Sequence, residues 1–238
     1  MTDIELPEID EKGAPNQDGK ARTYSNRLFM QLHVYGQCAR AEDCIPVLER
    51  LDIESVLYFD ASDPKALAVL TYHQDPNRLI QASRTLIGQG PFSGFVQKHE
   101  YTMFGRTYAS GRETDLEEWL INRPRRFALS DEHQWAIWYP LRRKGEFELL
   151  SRAEQGKILG EHALIGRRYG QAGLAHDIRL ACHGLDKNDN EFVIGLLGKD
   201  LYPLSKVVQD MRQTQQTIQY IVSMGPFFIG KVCWRSKS

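Results

Sequence analysis

The chain has 238 residues, and its 30 basic and 31 acidic side chains nearly cancel, so charge indicates neither a nucleic-acid nor a membrane-surface partner. No apolar run approaches the ~20 residues that a membrane-spanning helix needs. The acidic, polar N-terminus does not resemble a signal peptide. We therefore expect a cytoplasmic protein with no membrane insertion and a flexible N-terminal arm at residues 1–24.

Strand and helix patterns alternate through the first half of the chain. LFMQLHVYG (28–36) alternates apolar and polar residues and predicts a strand, after which Asp43 is expected to cap a short helix that reaches Leu51. SVLYFDA and ALAVLTYH predict two strands, and Asp75 followed by Pro76 predicts the start of a helix. A last strand over HEYTMFGRTY (99–108) gives the order β-α-β-β-α-β.

The second half repeats this order. QWAIWYP (134–140), DIRLACHGL, EFVIGLLG and GPFFIGKVCW predict strands, and YPLSKVVQDMR predicts a helix. Ser151 and Glu154 form a capping box for another helix, which is expected to end at Gly170. The repeat predicts an α+β fold in which two ferredoxin-like units pair as an internal dimeric α/β barrel, with a cavity between each sheet and its helices.

The predicted organisation has four parts. The arm at 1–24 precedes an N-terminal unit at 25–112, a linker at 113–132 and a C-terminal unit at 133–238. The linker is expected to contain a short helix capped by Thr114 with Glu117. The four cysteines show no CxxC pair and no metal-binding spacing, which favours reduced thiols.

One histidine interrupts an apolar helical face in KILGEHALIGRRYG (157–170). Ile158, His162, Ile165 and Tyr169 are spaced so that they share one side of a helix. His162 could be a core histidine bonded to a backbone carbonyl. It could also be an axial ligand of haem iron, which takes four other ligands from the porphyrin. No second histidine at metal-binding spacing accompanies it, which argues against a zinc site.

Three other segments combine polar groups with cations. In WYPLRRKGEF, Tyr139 ends a strand before the basic residues 142–144. This could be a strand end with a solvated turn, or a redox-capable phenol beside cations that hold a carboxylate. In DMRQTQQT, Arg212 and Thr217 could close a helix or bind one anionic group, and RPRRF (123–127) is open to the same two interpretations.

Taken in order, these stretches resemble the chlorite dismutase superfamily, and within it the coproheme decarboxylase branch. The likeness lies in the YP strand end, EHxxxGRxY, GLDxxxxEFVIGL, the MR helix end with a later hydroxyl, and GPFFIGK, over roughly residues 134–232. It implies a haem-family enzyme that uses hydrogen peroxide to decarboxylate iron coproporphyrin (coproheme) to haem b. It also implies a homo-oligomer, a pentamer in the family.

The resemblance assigns a role to each candidate residue. His162 corresponds to the proximal iron ligand and Tyr139 to the catalytic tyrosine of the decarboxylases. The basic residue after that tyrosine and the propionate- or porphyrin-binding residues correspond to Arg143, Arg212, Thr217 and Arg125. Arg123 and Arg126 lie close enough in sequence to compete with Arg125.

On the distal side of the porphyrin the sequence departs from the family. Chlorite dismutases have an arginine, and many decarboxylases a glutamine, where this chain has Asp177 next to His176. A carboxylate would repel chlorite, so chlorite dismutation stays an alternative that lacks its donor, beside a non-catalytic haem-binding protein. We expect His176 or Asp177 to move a proton in the reaction with peroxide, although either could simply cap the turn into the strand.

Overall fold

The computed structural model describes residues 6–38 and 40–237. Its strands are β1 Glu11–Pro15, β2 Ala21–Tyr24, β3 Phe29–Gly36, β4 Glu54–Asp60, β5 Leu67–His73, β6 Val96–Gln97, β7 Met103–Thr107, β8 Trp135–Arg143, β9 His176–Ala181, β10 Phe192–Gly198, β11 Ile221–Met224 and β12 Phe228–Arg235. Its α-helices are α1 Ile45–Leu48, α2 Pro76–Gly88, α3 Arg123–Leu129, α4 Arg152–Gln171 and α5 Leu201–Met211.

Eight strands form a closed ring. They pair in the order β10-β9-β7-β3-β5-β4-β12-β8, and β8 pairs again with β10. Four strands come from each predicted unit, and the pairs β12–β4 and β7–β9 join the two units. The structure therefore confirms the α+β fold in which two ferredoxin-like units form one barrel.

Alternation along the strands separates an inner core from outer, helix-covered cores. Inward-facing side chains such as Leu32, Tyr58 and Trp138 fill the barrel. A Cβ atom at Gly195 would lie 2.5 Å from ring carbons of Trp138, so this position needs glycine. Outward-facing residues of β8 and β10 pack beneath α4 and α5, and Tyr139 belongs to this outer core.

Two predicted helix starts are confirmed. The Asp75 side chain caps α2 by accepting a hydrogen bond from the Asn77 N–H at 2.9 Å, and the Ser151–Glu154 capping box opens α4. Helix α4 continues one residue beyond the predicted Gly170. The chain turns away at Gly173, whose φ of 67° is the left-handed conformation that glycine adopts without strain.

The N-terminal segment and the linker differ from the sequence expectations. Strands β1 and β2 form a hairpin where a flexible arm was predicted, because Glu11 pairs with Arg106 at 2.7 Å and the Ala14 N–H donates to the Glu113 carbonyl at 2.8 Å. Residues 1–5 of that arm lie outside the described residues. The linker helix is capped by Asp115 rather than by Thr114.

The short helix before β4 also begins differently from the prediction. A 3-10 turn at Glu42–Cys44 leads into α1, and Asp43 makes no cap hydrogen bond there. Among the residues described, none of the helices combines the length and the apolar character required to cross a bilayer.

Candidate functional site

A row of side chains crosses three strands on the outer face of the C-terminal unit. Tyr139 of β8 is opposite Ile194 of β10, which is opposite Arg179 of β9. Asp177, two residues before Arg179 on β9, is opposite Leu196 of β10. Directly opposed residues point to the same face, so Asp177 and Arg179 share the face of Tyr139, with β9 lying roughly 10 Å from β8 across the sheet.

His162 lies on α4, the helix that covers this face. Its Nδ1 atom is 3.3 Å from the Thr214 hydroxyl oxygen. Burial and the Arg179 guanidinium lower the pKa of His162 to about 4, although Asp177 opposes them. The imidazole is therefore neutral at neutral pH, which is the form that binds a metal. Within ranges 6–38 and 40–237, no group hydrogen-bonds to its Nε2 atom.

A second buried histidine shows the contrasting, structural arrangement. His33 Nδ1 accepts a hydrogen bond from Gln97 Nε2 at 2.8 Å, and its Nε2 lies 3.1 Å from the Ser83 hydroxyl. Burial, with a smaller effect of His99, lowers the pKa of His33 to about 4. Because both ring nitrogens of His33 are engaged, only His162 of this pair retains a nitrogen that can bind a metal ion.

Tyr139 is buried and stacks on Phe227, with ring centroids 4.6 Å apart. Trp135 and Ile137 belong to the same outer core, as the strand alternation predicts. Burial raises the pKa of Tyr139 above its ordinary value, with an addition from Asp177, and the Arg212 charge opposes the rise. The phenol therefore keeps its proton at neutral pH.

Arg143 follows Tyr139 on the same strand face and is held by aromatic rings. Its guanidinium lies 4.2 Å from the Phe147 ring centroid and 5.1 Å from that of Phe192. Its Nη2 is 3.1 Å from a Glu148 oxygen, while its buried Nε lies 3.8 Å from a Glu191 oxygen and makes no hydrogen bond within the described part of the chain. A guanidinium with an unused buried donor is suited to a carboxylate ligand.

Arg212 and Thr217 lie where α5 gives way to the next turn. Arg212 is exposed, and its charge reaches the Tyr139 phenol. Thr217 lies in the π-helical turn Gln216–Tyr220, and its hydroxyl is 3.3 Å from that of Thr214. The structure thus brings His162, Tyr139, Arg143, Arg212 and Thr217 to one helix-covered face.

Of the three linker arginines, Arg123 joins this group. Its Nη2 donates to Asp177 Oδ1 at 2.7 Å, and its Nη1 donates to the Asp177 carbonyl at 2.9 Å. Arg125 instead donates through Nε to Glu54 in the N-terminal unit at 2.7 Å, and Arg126 is exposed. The structure does not bring Arg125 to the other predicted site residues, whereas it brings Arg123 to Asp177.

Asp177 is held as a carboxylate between two guanidinium groups. Arg179 Nε lies 2.9 Å from Asp177 Oδ2, and the Trp119 ring is 4.5 Å from the Arg123 guanidinium and 4.8 Å from that of Arg179. Burial alone would raise the pKa of Asp177, but the charges of Arg179 and Arg123 outweigh it and lower that pKa. Asp177 is therefore a poor proton acceptor near neutral pH, whereas Arg179 adds a cationic donor.

His176 points away from this face. Its ring lies 4.4 Å from that of Phe127 and 5.0 Å from that of His133, at the side of α3. Successive residues of a strand face opposite sides of a sheet, so His176 and Asp177 diverge. The expectation that His176 acts beside Asp177 at the site is not supported by this geometry.

Three residues at this face were missed by reasoning from the sequence. Arg179 could have been found, because strand alternation places it on the face of Asp177. Tyr108 follows β7 in the N-terminal unit; burial raises its pKa, against the opposing charges of Arg179 and Arg143. No pattern in the sequence indicates that Tyr108, or Thr214 beside His162, lies here.

The fold and this face define a class of protein: a duplicated α+β barrel with an available histidine, a buried tyrosine and several arginines beneath two helices. The profile of the family described as Chlorite dismutase matches residues 92–233, more than half of the chain. The chain belongs to the chlorite dismutase family. The coproheme decarboxylase of Staphylococcus carnosus is 32% identical over 102 residues, which cover 41% of this chain and 39% of that protein.

Solved structures share the fold along nearly the whole chain. A heme-binding protein from Thermus thermophilus superposes with a TM-score of 0.72 and 17% identity, covering 97% of this chain and 96% of the other. A variant of chlorite dismutase from Candidatus Nitrospira defluvii superposes with a TM-score of 0.68 and 13% identity, covering 89% and 93%. At these identities the likeness shows the fold alone.

Proposed function

We propose that this protein is a haem-family oxidoreductase that converts iron coproporphyrin to haem b by peroxide-dependent oxidative decarboxylation. The observation that carries the proposal is that Tyr139, buried and protonated, shares one face with His162 and several arginines. The curated relative named coproheme decarboxylase supports the same reaction. Because the alignment covers only 39% of that relative, its activity enters here as a proposal.

The residues of this face fit an iron porphyrin that carries several carboxylates. His162 would bind the iron through Nε2, and apolar side chains of β8, β10, α4 and α5 would surround the ring. Arg143, Arg212 and Thr217 would hold carboxylates. The buried Nε atom of Arg143 lies 3.8 Å from a Glu191 oxygen and makes no hydrogen bond with the described residues, and an anionic oxygen of the porphyrin at hydrogen-bond distance would satisfy it.

When bound, the iron porphyrin would supply the redox chemistry: its iron would be oxidised by peroxide and would then accept electrons from the propionates. For each propionate the balance is –CH2CH2COO⁻ + H2O2 + H⁺ → –CH=CH2 + CO2 + 2 H2O. Tyr139 would lose the hydrogen atom of its Oη and then take one from the propionate side chain. The carboxylate leaves as carbon dioxide once the second electron has gone.

The cationic groups of the site orient the substrate carboxylates relative to Tyr139. Iron coproporphyrin carries four carboxylates and haem b carries two. We therefore expect Arg212→Gln to weaken the binding of iron coproporphyrin more than that of haem b. A charge-assisted hydrogen bond contributes about 1.5–3 kcal/mol, which corresponds to a loss of roughly 10- to 150-fold. Parallel titrations of both ligands would measure the difference.

Arg125→Gln is the matched control, since Arg125 pairs with Glu54 in the N-terminal unit. It should change neither titration by more than about twofold. Equal weakening of both ligands by Arg212→Gln would indicate general damage to the protein. A selective effect of Arg125→Gln would restore the role that the family resemblance assigned to it.

Chlorite dismutation, which yields chloride and dioxygen, is a second candidate function. It is favoured by Arg179, because this guanidinium supplies on the face of Tyr139 the cationic donor that the sequence pattern lacked. Two results together would select this function. The parent protein would release dioxygen from chlorite and Arg179→Gln would not, and peroxide would fail to release carbon dioxide from bound iron coproporphyrin.

Arg179 should also matter under the first proposal. We expect Arg179→Gln to slow the reaction of the porphyrin-loaded protein with peroxide by roughly 10²- to 10³-fold, the effect of removing one preorganised donor. His176→Ala should leave the rate within about twofold, since His176 packs against Phe127 on the other side of the sheet. Stopped-flow absorbance would measure both rates, and equal slowing by the two substitutions would contradict this placement.

The assembly and location of the protein stay predictions. The homo-oligomer, a pentamer by resemblance, would cover exposed apolar side chains of the C-terminal unit such as Tyr202, Ile218 and Val222. A cytoplasmic location agrees with the described cysteines, all of which are free thiols.

A further inference from the structure

We infer that Thr214 is a positioning residue that holds His162 in one tautomer and connects it to Thr217. That the ligand concerned is iron rests on the proposed function, whereas the tautomer follows from the hydrogen bonds of the protein alone. Thr214 lies in the loop after α5 and is 5% exposed. Its hydroxyl oxygen is within 3.3 Å of both the His162 ring and the Thr217 hydroxyl.

The single hydroxyl hydrogen of Thr214 decides the tautomer of His162. The Thr214 hydroxyl donates to the Met211 carbonyl at 2.8 Å. Having no second hydrogen, the hydroxyl can only accept from His162 Nδ1, 3.3 Å away. A neutral imidazole has one N–H, so the hydrogen is on Nδ1 and the lone pair is on Nε2. The arrangement therefore presents Nε2 as a ligand before any metal is bound.

A second contact beside this one ties α4 to the same loop. Glu161, the residue before His162, accepts a hydrogen bond from the Gln215 N–H at 3.0 Å. Glu161 and His162 of α4 thus bond to Gln215 and Thr214 of the loop, and these two contacts restrain the position and the rotation of the imidazole relative to the loop. Because the Glu161 carboxylate is engaged by Gln215, the partner of His162 is a neutral hydroxyl. Such an acceptor draws less on the Nδ1 proton than a carboxylate would.

The same hydrogen count connects Thr217 to the imidazole. Because the Thr214 hydrogen is directed to Met211, the Thr214 oxygen accepts from Thr217, through the backbone N–H at 3.4 Å and through the hydroxyl hydrogen, with 3.3 Å between the two hydroxyl oxygens. A carboxylate bound at Thr217 competes for that hydrogen. The Thr214 oxygen then has more electron density available for His162 Nδ1–H. Thr214 thereby transmits the occupancy of the anion site to the nitrogen ligand.

The test begins with the ligand-free full chain. Nitrogen-15 correlation spectra of the histidine rings distinguish the Nδ1–H from the Nε2–H form. We expect His162 in the parent and in Thr214→Ser to be Nδ1–H, and Thr214→Val, which removes the hydroxyl at similar volume, to gain the Nε2–H form. His33 is an internal reference of the opposite tautomer, because its Nδ1 accepts from Gln97 Nε2.

The second readout is the iron–histidine stretching band of the ferrous iron coproporphyrin complex. Thr214→Val should shift this band, Thr214→Ser should restore it, and Thr217→Val should shift it less than Thr214→Val. An Nε2–H form of His162 in the parent overturns the inference even if Thr214→Val does not fold. An unchanged tautomer in a folded Thr214→Val also overturns it. Failure of decarboxylation with the expected tautomers would instead count against the proposed function.

Discussion

Tyr139→Phe should fold, bind iron coproporphyrin through His162 and react with peroxide, yet release little or no carbon dioxide. Phenylalanine keeps the ring that stacks on Phe227, but it has no hydroxyl hydrogen to lose and recover. The packing of this face should therefore persist while the proposed hydrogen transfer fails. Mass spectrometry of the porphyrin after a peroxide titration would count the carboxylates lost.

Tyr35→Phe is the matched control for this experiment. Tyr35 is also a buried tyrosine on an outer strand face, but it lies on β3 in the N-terminal unit. It should decarboxylate iron coproporphyrin at the parental rate. If Tyr139→Phe does the same, Tyr139 is not the hydrogen donor. If the parent itself loses no carboxylate with peroxide, the proposed function is wrong.

His162→Ala should abolish the spectrum of a histidine-ligated ferrous porphyrin and weaken porphyrin binding by roughly 100-fold or more. Substituting residues that merely orient a metal ligand already costs 10- to 100-fold in metal affinity, so loss of the ligand itself should cost more. The other ring nitrogen is held by Thr214, and His176 faces the other side of the sheet. Resonance Raman spectroscopy of the iron–histidine band and a porphyrin titration would measure the two effects.

Added imidazole provides a rescue. In His162→Ala the vacated space beside Thr214 should accept free imidazole and restore a nitrogen-ligated spectrum. His33→Gln is the control, since the pKa of His33 is lowered in the same way but both its ring nitrogens are engaged by Gln97 and Ser83. An iron–histidine band that survives in His162→Ala would assign the ligand to another residue.

The two units repeat one order of elements but differ in their outer faces. In the N-terminal unit, Tyr35, Cys44, Leu48 and Phe92 pack into an apolar core beneath the helices. Burial raises the pKa of the Cys44 thiol to about 12, with smaller contributions from nearby thiols and carboxylates, so it is unreactive at neutral pH. In the C-terminal unit the corresponding face carries Asp177 and Arg179 instead. The two units therefore share one fold, but only the outer face of the C-terminal unit carries the candidate site with Asp177 and Arg179.

Some of the structure is determined by the sequence alone, because it depends on short-range periodicity. The alternation in β8 places Tyr139 on the face of Ile137, and the capping box of Ser151 with Glu154 starts α4. Helical spacing places His162 on the apolar side of α4. Each of these assignments involves residues a few positions apart, so the local backbone geometry is sufficient.

The remaining assignments depend on tertiary structure. Counting back from Tyr139 favoured Arg125, but in the folded linker Arg125 donates to Glu54 of the N-terminal unit, and Arg123 is the arginine that meets Asp177. Tyr139 and Arg179 lie in one row across the sheet, through Ile194, because of the register of three strands. The contact between His162 and Thr214 depends on how α4 docks against the loop after α5. Such contacts join residues far apart in the chain, and only packing of the folded barrel decides which side chains meet.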